Sequence, residues 1–234
     1  MKNLFAIFLF FVAPLYTSAQ INNPAFRVNN GGDIRTVIST KDRYLYDGFQ
    51  EGKVYFRNGR VSLARLNYSF FHSEIQFINP KNDTLLLSDN DFISRIVINN
   101  DVFYYQKKQG HIQNIGDYGK VMLGRKQQLL FMGSEKNAGY NQYSSASAVS
   151  SYSHFTNRNG EMQTLKSGDK LILRKKTDFY LIDRNLRFSV ANRAGLLKIY
   201  PDHKKALNNY LKDNQINFLE ENDLVKTLEF CQSL

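Results

Sequence analysis

The chain has 234 residues, with 31 Lys and Arg against 21 Asp and Glu, giving a formal charge of +10. Its single Cys excludes an internal disulfide, so the fold must be held by packing, for which 18 Phe and 14 Tyr supply the bulk in the absence of Trp.

Lys2 gives a short positive start, residues 4–12 are wholly apolar, Pro14 ends the run, and Thr17-Ser18-Ala19 places small residues before Gln20. That order is the pattern of a secretory signal peptide (1–19) cleaved between Ala19 and Gln20. The run falls short of the ~20 apolar residues that a membrane anchor needs. A lipid-anchored form would need a Cys just after it, and the only Cys is Cys231. The expectation is an exported protein, periplasmic or secreted, with no membrane-spanning segment after cleavage. About 215 residues then remain, enough for one large domain or two small ones.

Residues 21–32, with Asn, Pro and paired Gly, read as a loose arm. Residues 33–46 are ambiguous, and Arg35-Thr36-Val37-Ile38 is a candidate first strand. The clearest stretch is residues 53–107, a run of short strands separated by turn signals. Asn58-Gly59 predicts a two-residue hairpin loop with positive φ at both positions. Asn99-Asn100 sits the same way between Ile98 and Val102. Asn79-Pro80-Lys81-Asn82-Asp83 marks another turn, since Pro cannot donate to a ladder and Asn and Asp favour turns. Ile75 and Phe77 alternate with Glu74 and Gln76, giving one wet and one buried face. Residues 88–91 carry a helix-style cap with room for one turn. Consecutive strands with short loops form an antiparallel meander, not a parallel nucleotide-binding sheet.

Residues 110–115 and 120–132 predict two further strands, the second with a bulge at Gly124. Residues 133–161 hold seven Ser and three Tyr with almost no aliphatic periodicity, and read as a flexible insert. The insert separates a β-rich region (20–132) from a C-terminal region (162–234), which together need not be more than one domain. Beyond it, residues 170–174 and 179–183 predict two strands, and Asn192 caps a first short helix. Pro201 ends that helix and starts a second. Glu220, Glu221 and Asp223 suit the first turn of a third. The expected class is therefore α+β: mainly an antiparallel β-meander sheet with three short C-terminal helices.

The segment GKVYFRNGRVSLARLNYSFFHSEIQFINPKNDTLLL, the Ser/Tyr-rich insert and the ending LLKIYPDHKKALNNYLKDNQINFLEENDLVKTLEF resemble a group of uncharacterised exported proteins common in Bacteroidetes. The resemblance implies export and the β-then-helix layout; it carries no activity and no site residues. Asp83-Thr84-Leu85 also resembles the short O-glycosylation acceptor motif of envelope proteins from that phylum, which would make Thr84 the modified residue.

For chemistry the chain offers little. His72, His111, His154 and His203 lie far apart, without the clustered partners that metal sites show. His72-Ser73-Glu74 holds triad residue types, but neighbours in a strand point to alternate faces, and no Gly-x-Ser-x-Gly elbow is present. No catalytic residue, metal or cofactor is assigned. Charge is unevenly spread: residues 166–212 carry twelve Lys or Arg against four Asp, and residues 213–234 one Lys against five acids. Arg174, Lys175, Lys176, Arg184 and Arg187 fall on an expected hairpin as a candidate anion-binding cluster. The functional expectation is a non-enzymatic envelope binding or interaction module contacting an anionic lipid or glycan, with a hydrolase of an envelope polymer as the alternative. Export argues against nucleic acid as the partner.

Overall fold

The computed structural model describes residues 25–29, 33–88, 90–137, 143–144 and 170–234. The expected cleavage junction at Ala19 and Gln20, and residues 138–142 and 145–161 of the expected insert, lie outside the described residues.

Among the described residues, twelve strands form one antiparallel sheet. They are β1 (Ala25–Asn29), β2 (Gln50–Phe56), β3 (Val61–Ser69), β4 (Glu74–Ile78), β5 (Thr84–Leu86), β6 (Ile93–Ile98), β7 (Asp101–Gln106), β8 (Gly110–Tyr118), β9 (Val121–Asn137), β10 (Tyr143–Ser144), β11 (Lys170–Asp183) and β12 (Phe188–Val190). Their order across the sheet is β1-β11-β9-β8-β7-β6-β2-β3-β4-β5, with β10 on β9 and β12 on β11. Two single-turn helices, α1 (Ile34–Val37) and α2 (Thr40–Arg43), precede β2, and α3 (Arg193–Ile199), α4 (Lys204–Asp213) and α5 (Glu221–Gln232) close the chain. The fold is thus the expected α+β meander with C-terminal helices.

Local chemistry sets most joints. In the Asn79–Asp83 turn, the Asn79 side chain accepts the Lys81 and Asp83 N–H groups at 2.9 and 2.8 Å. Asn192 caps α3 by accepting the Gly195 N–H at 2.8 Å. Pro201 opens a 3-10 turn that leads into α4, where its missing N–H has no helical partner to lose. The Asn58-Gly59 hairpin differs from expectation. Phe56 N–H bonds Arg60 O and Gly59 N–H bonds Phe56 O, so three residues form the loop. Among its residues only Gly59 takes positive φ, at 86°. This is the three-residue loop with one left-handed position, and the Asn58 side chain accepts the Arg60 N–H to hold it.

Four further expectations are corrected. Arg35, Thr36 and Val37 belong to a single helical turn, Ile34–Val37, because the Asp33 side chain accepts the Arg35 N–H at its N-terminus, and only Ile38 is extended. The arm at 21–32 contains β1, which pairs with β11 from Ala25↔Arg174 to Asn29↔Lys170 and buries Val28 completely. Residues 170–183 are one strand rather than two; the turn expected at Asp183-Arg184-Asn185 is present, with the Asp183 side chain accepting the Asn185 and Arg187 N–H groups. Gly124 is not a bulge: the ladder slips beside it, at Ile115 on β8, and again at Met132 on β9. Gly124 instead leaves room for Ile112 and Ile182, whose methyl groups would lie 2.7 and 2.9 Å from an added Cβ.

The sheet has an inner and an outer face. The inner face curls around a first core formed by Val28, Ile34, Ile38, Val54, Leu66, Tyr68, Phe70, Ile75, Ile96, Phe103, Leu129 and Leu173, among others. The curl brings the β3–β4 turn onto β8 and β9: His111 N–H bonds Ser73 O at 2.9 Å and Leu129 N–H bonds Phe70 O at 2.7 Å. Further along the same face, Val121, Leu123, Phe179 and Leu181 meet Leu196, Tyr200, Leu207, Leu224, Leu228 and Cys231 of the helical layer. The outer face carries a smaller third core of Ile112, Met122, Tyr180 and Ile182, flanked by Leu186 and Phe188 beside the β11–β12 hairpin. Among the described residues no helix is long and apolar enough to cross a membrane.

Candidate functional site

The histidines that sequence reasoning considered do not converge. His111 is fully buried, and its Nδ1 accepts the Ile75 N–H at 3.3 Å. Desolvation lowers its pKa to about 3, so the ring is neutral across the ordinary pH range. It ties β4 to β8 and has no solvent-facing lone pair to act as a base. His72 packs edge-on against Phe71, and burial lowers its pKa as well. His154 lies outside the described residues. Among the described residues no three His, Cys, Asp or Glu side chains gather as a metal site. A cleft lined by Leu45, Tyr68, Phe103, Gln113, Arg125 and Gln127 has no room for even a water molecule.

The middle of the β9–β11 pair is polar on both faces. On the outer face Lys126 is buried, and its ammonium donates to Gln109 Oε1 at 3.0 Å, which also accepts the Tyr180 hydroxyl at 3.0 Å. Desolvation lowers the Lys126 pKa, opposed by the nearby Asp178. Asp178 accepts from Lys176 at 2.7 Å and Gln128 at 2.9 Å. Every named group here is satisfied by a neighbour, and the seam anchors the β7–β8 turn on β9 and β11.

The expected anion-binding residues are not brought together as one cluster. Arg174 to Arg184 spans ten strand positions, roughly 30 Å of extended chain. Lys175 alternates to the face opposite Arg174 and Lys176, with its ammonium 3.7 Å from the centre of the Phe70 ring. Lys176 pairs with Asp178, and Arg187 with Asp183 at 3.5 Å. Arg184 binds both Asp117 oxygens, at 2.6 and 2.9 Å, and holds that carboxyl below its ordinary pKa. Arg174 remains exposed. Thr84 is exposed at the start of β5, opposite Ile78.

Cations and apolar side chains meet instead on the outer face of β2, β3 and β6, a face that sequence reasoning did not single out. Its rows are Val61–Tyr55–Arg95, Leu63–Lys53–Val97 and Arg65–Glu51. The alternate residues Val54, Leu66, Ile96 and Ile98 fill the first core, which fixes this set toward solvent. The Arg95 guanidinium lies 4.1 Å from the centre of the Tyr55 ring. Arg57, at the end of the face, gives its Nε–H to Asp91 O at 3.0 Å and its backbone N–H to Phe92 O at 2.9 Å. Leu63 is 73% exposed, Phe92 68% and Val61 48%. Lys53, Arg65 and Arg95 thus lie on the same face as Leu63 and Val61, and Arg57 lies beside Phe92 at its end, against the carboxylates of Glu51 and Asp91. The i, i+2 series Lys53-Tyr55-Arg57 and Val61-Leu63-Arg65 was readable across the hairpin. Arg95 was not, because nothing local tells that β6 returns to lie beside β2.

Comparison with known proteins finds no matching family model, no matching curated protein and no matching solved structure.

Proposed function

We propose that the protein is an exported cell-envelope module that binds an anionic envelope component, lipid or glycan, without transforming it. The observation that carries this reading is the outer β2–β3–β6 face, where Lys53, Arg57, Arg65 and Arg95 lie beside exposed apolar side chains on paired strands. Such a face attracts anions over a Debye length and offers an unpartnered contact surface once they arrive. Arg174 and the remaining positive charge of the chain add to the long-range field. The signal-peptide pattern at residues 1–19 supports placement in the envelope.

The test is retention on anionic vesicles and on an acidic polysaccharide resin across a salt gradient. Retention on at least one of them should fall steeply with salt, because exposed charges are screened. Lys53→Gln combined with Arg65→Gln should weaken it further without altering thermal stability, since both residues are exposed. Equal retention on neutral and anionic matrices at low salt would overturn the reading.

A further inference from the structure

We infer that the partner of the outer β2–β3–β6 face is the surface of an anionic lipid bilayer, an inference that rests on the binding reading above and narrows it. The deciding side chains are Leu63, Val61 and Phe92, which protrude at 73%, 48% and 68% exposure with no described neighbour covering them. Leu63 and Val61 sit at the outward positions opposite Lys53 and Tyr55, with Arg65 next along β3 and Arg95 beyond Tyr55 on β6. Apolar side chains flanked by Lys and Arg match the layered chemistry of a bilayer boundary: phosphates at the rim, hydrocarbon beneath. The long stems of Lys53 and Arg65 can lie along the patch while their charged ends reach outward.

A glycan asks for different features. Sugars are gripped by hydrogen-bond donors aimed into a groove and by open aromatic faces. Here a guanidinium already covers one face of the Tyr55 ring. Branched aliphatic side chains offer a sugar no plane to stack on and no donor. Leu63 gains chiefly by leaving water for hydrocarbon. The strands behind the face are closely packed: Gly52 backs directly on Leu66, whose Cδ1 would lie 2.7 Å from an added Cβ. A preformed surface of paired strands needs no folding on contact.

The chain contains no Trp, so Leu63→Trp installs a single reporter on the face. The protein, as the cell matures it, would be titrated with vesicles of phosphatidylglycerol and phosphatidylcholine, with vesicles of phosphatidylcholine alone, and with polygalacturonate. The expected result is a blue shift of Trp emission with the phosphatidylglycerol vesicles and little change with the other two. Without the reporter, Leu63→Gln with Phe92→Gln should lower co-sedimentation with the anionic vesicles at least about tenfold. Lys53→Gln and Arg65→Gln should each lower it about fivefold. Salt-sensitive binding to polygalacturonate, unaffected by Leu63→Gln and absent for vesicles, would overturn the lipid inference and leave the binding reading standing. Binding to neither would overturn both. Vesicle binding that leaves the Trp emission unchanged would show that another surface makes the contact.

Discussion

His111 shows how much one side chain can settle. Its Nδ1 stands in for a strand partner by accepting the Ile75 N–H, and its backbone N–H reaches Ser73 O, so the residue closes the curl of the sheet from both ends. The adjoining Gly110 permits the approach: with φ at +81°, an added Cβ would lie 2.1 Å from Ser73 O. The buried Nε2 has no hydrogen-bond partner among the described residues, so it carries the proton of the neutral ring and its desolvation is uncompensated. The folded pKa of about 3 lies below the unfolded value near 6.5. Above pH 6.5 both states are neutral and the residue adds no pH dependence. As pH falls below 6.5 the unfolded chain takes up a proton that the folded one refuses, and stability is lost until about pH 3. The loss attributable to His111 is on the order of 2–3 kcal/mol by pH 4.5. Glu74, whose pKa is raised by burial, works in the opposite sense, as its protonation relieves a folded-state cost. Urea unfolding of the wild type and His111→Gln at pH 7.5 and pH 4.5 isolates the term, because Gln keeps an acceptor but does not titrate. The wild type should lose about 2–3 kcal/mol more than the variant between those pH values. Equal losses would show that the ring is not held neutral.

Among the elements, β11 separates what the sequence makes legible from what it hides. Signals that act within a few residues were readable: the Asn79–Asp83 turn, the Asn192 cap, the Pro201 start and the acidic first turn of α5. The first two are decided by side-chain-to-backbone bonds to groups nearby in the chain, the Pro201 start by its missing N–H, and the α5 start by acidic side chains beside the helix dipole. The Arg174-Lys175-Lys176-Thr177-Asp178 stretch reads as an interruption because its apolar alternation lapses. It remains a strand because Lys176, Thr177 and Asp178 face Gln128, Gln127 and Lys126 on β9, an equally polar run, and Gln128 donates to Asp178. The pairing of β1 with β11 and the placing of β6 beside β2 are likewise non-local, so the β6 side of the candidate face was hidden. Proline distinguishes the two readings of β11. Alternate N–H groups of a strand point toward a given neighbour, so one of Lys176→Pro and Thr177→Pro must remove a ladder bond to β9. That variant should lose about 3 kcal/mol or more of stability in chemical denaturation. If both variants unfold at the wild-type midpoint, residues 175–178 form a loop.

At the scale of the whole molecule, β9 and β11 are common to two cores. Leu129 and Leu173 lie in the first, and Leu123 and Leu181 in the second, on the same face of the same two strands. Fourteen pairs connect them, from Lys170↔Glu135 to Asp183↔Val121, with one slip at Met132. The helical layer has no strand of its own to pack on, so its burial depends on a platform that the β-rich region also uses. The direct ion pair across the junction adds little: Arg125 meets Glu221 of α5 at 3.0 Å with both side chains partly exposed, a pair worth at most about 1 kcal/mol. Cooperation therefore comes through the shared strands, and the two cores should unfold together. Leu66→Ala empties space in the first core and Leu228→Ala in the second, and both side chains are fully buried. Each should cost about 2–5 kcal/mol, a large share of a total of about 5–15 kcal/mol. The measurement is denaturant unfolding followed by far-UV circular dichroism at a helical and a sheet wavelength. Both variants should shift one coincident transition to lower denaturant at both wavelengths. If Leu228→Ala instead loses its helical signal first, with the sheet transition left at the wild-type midpoint, the strands do not transmit stability and the helices form a separate unit.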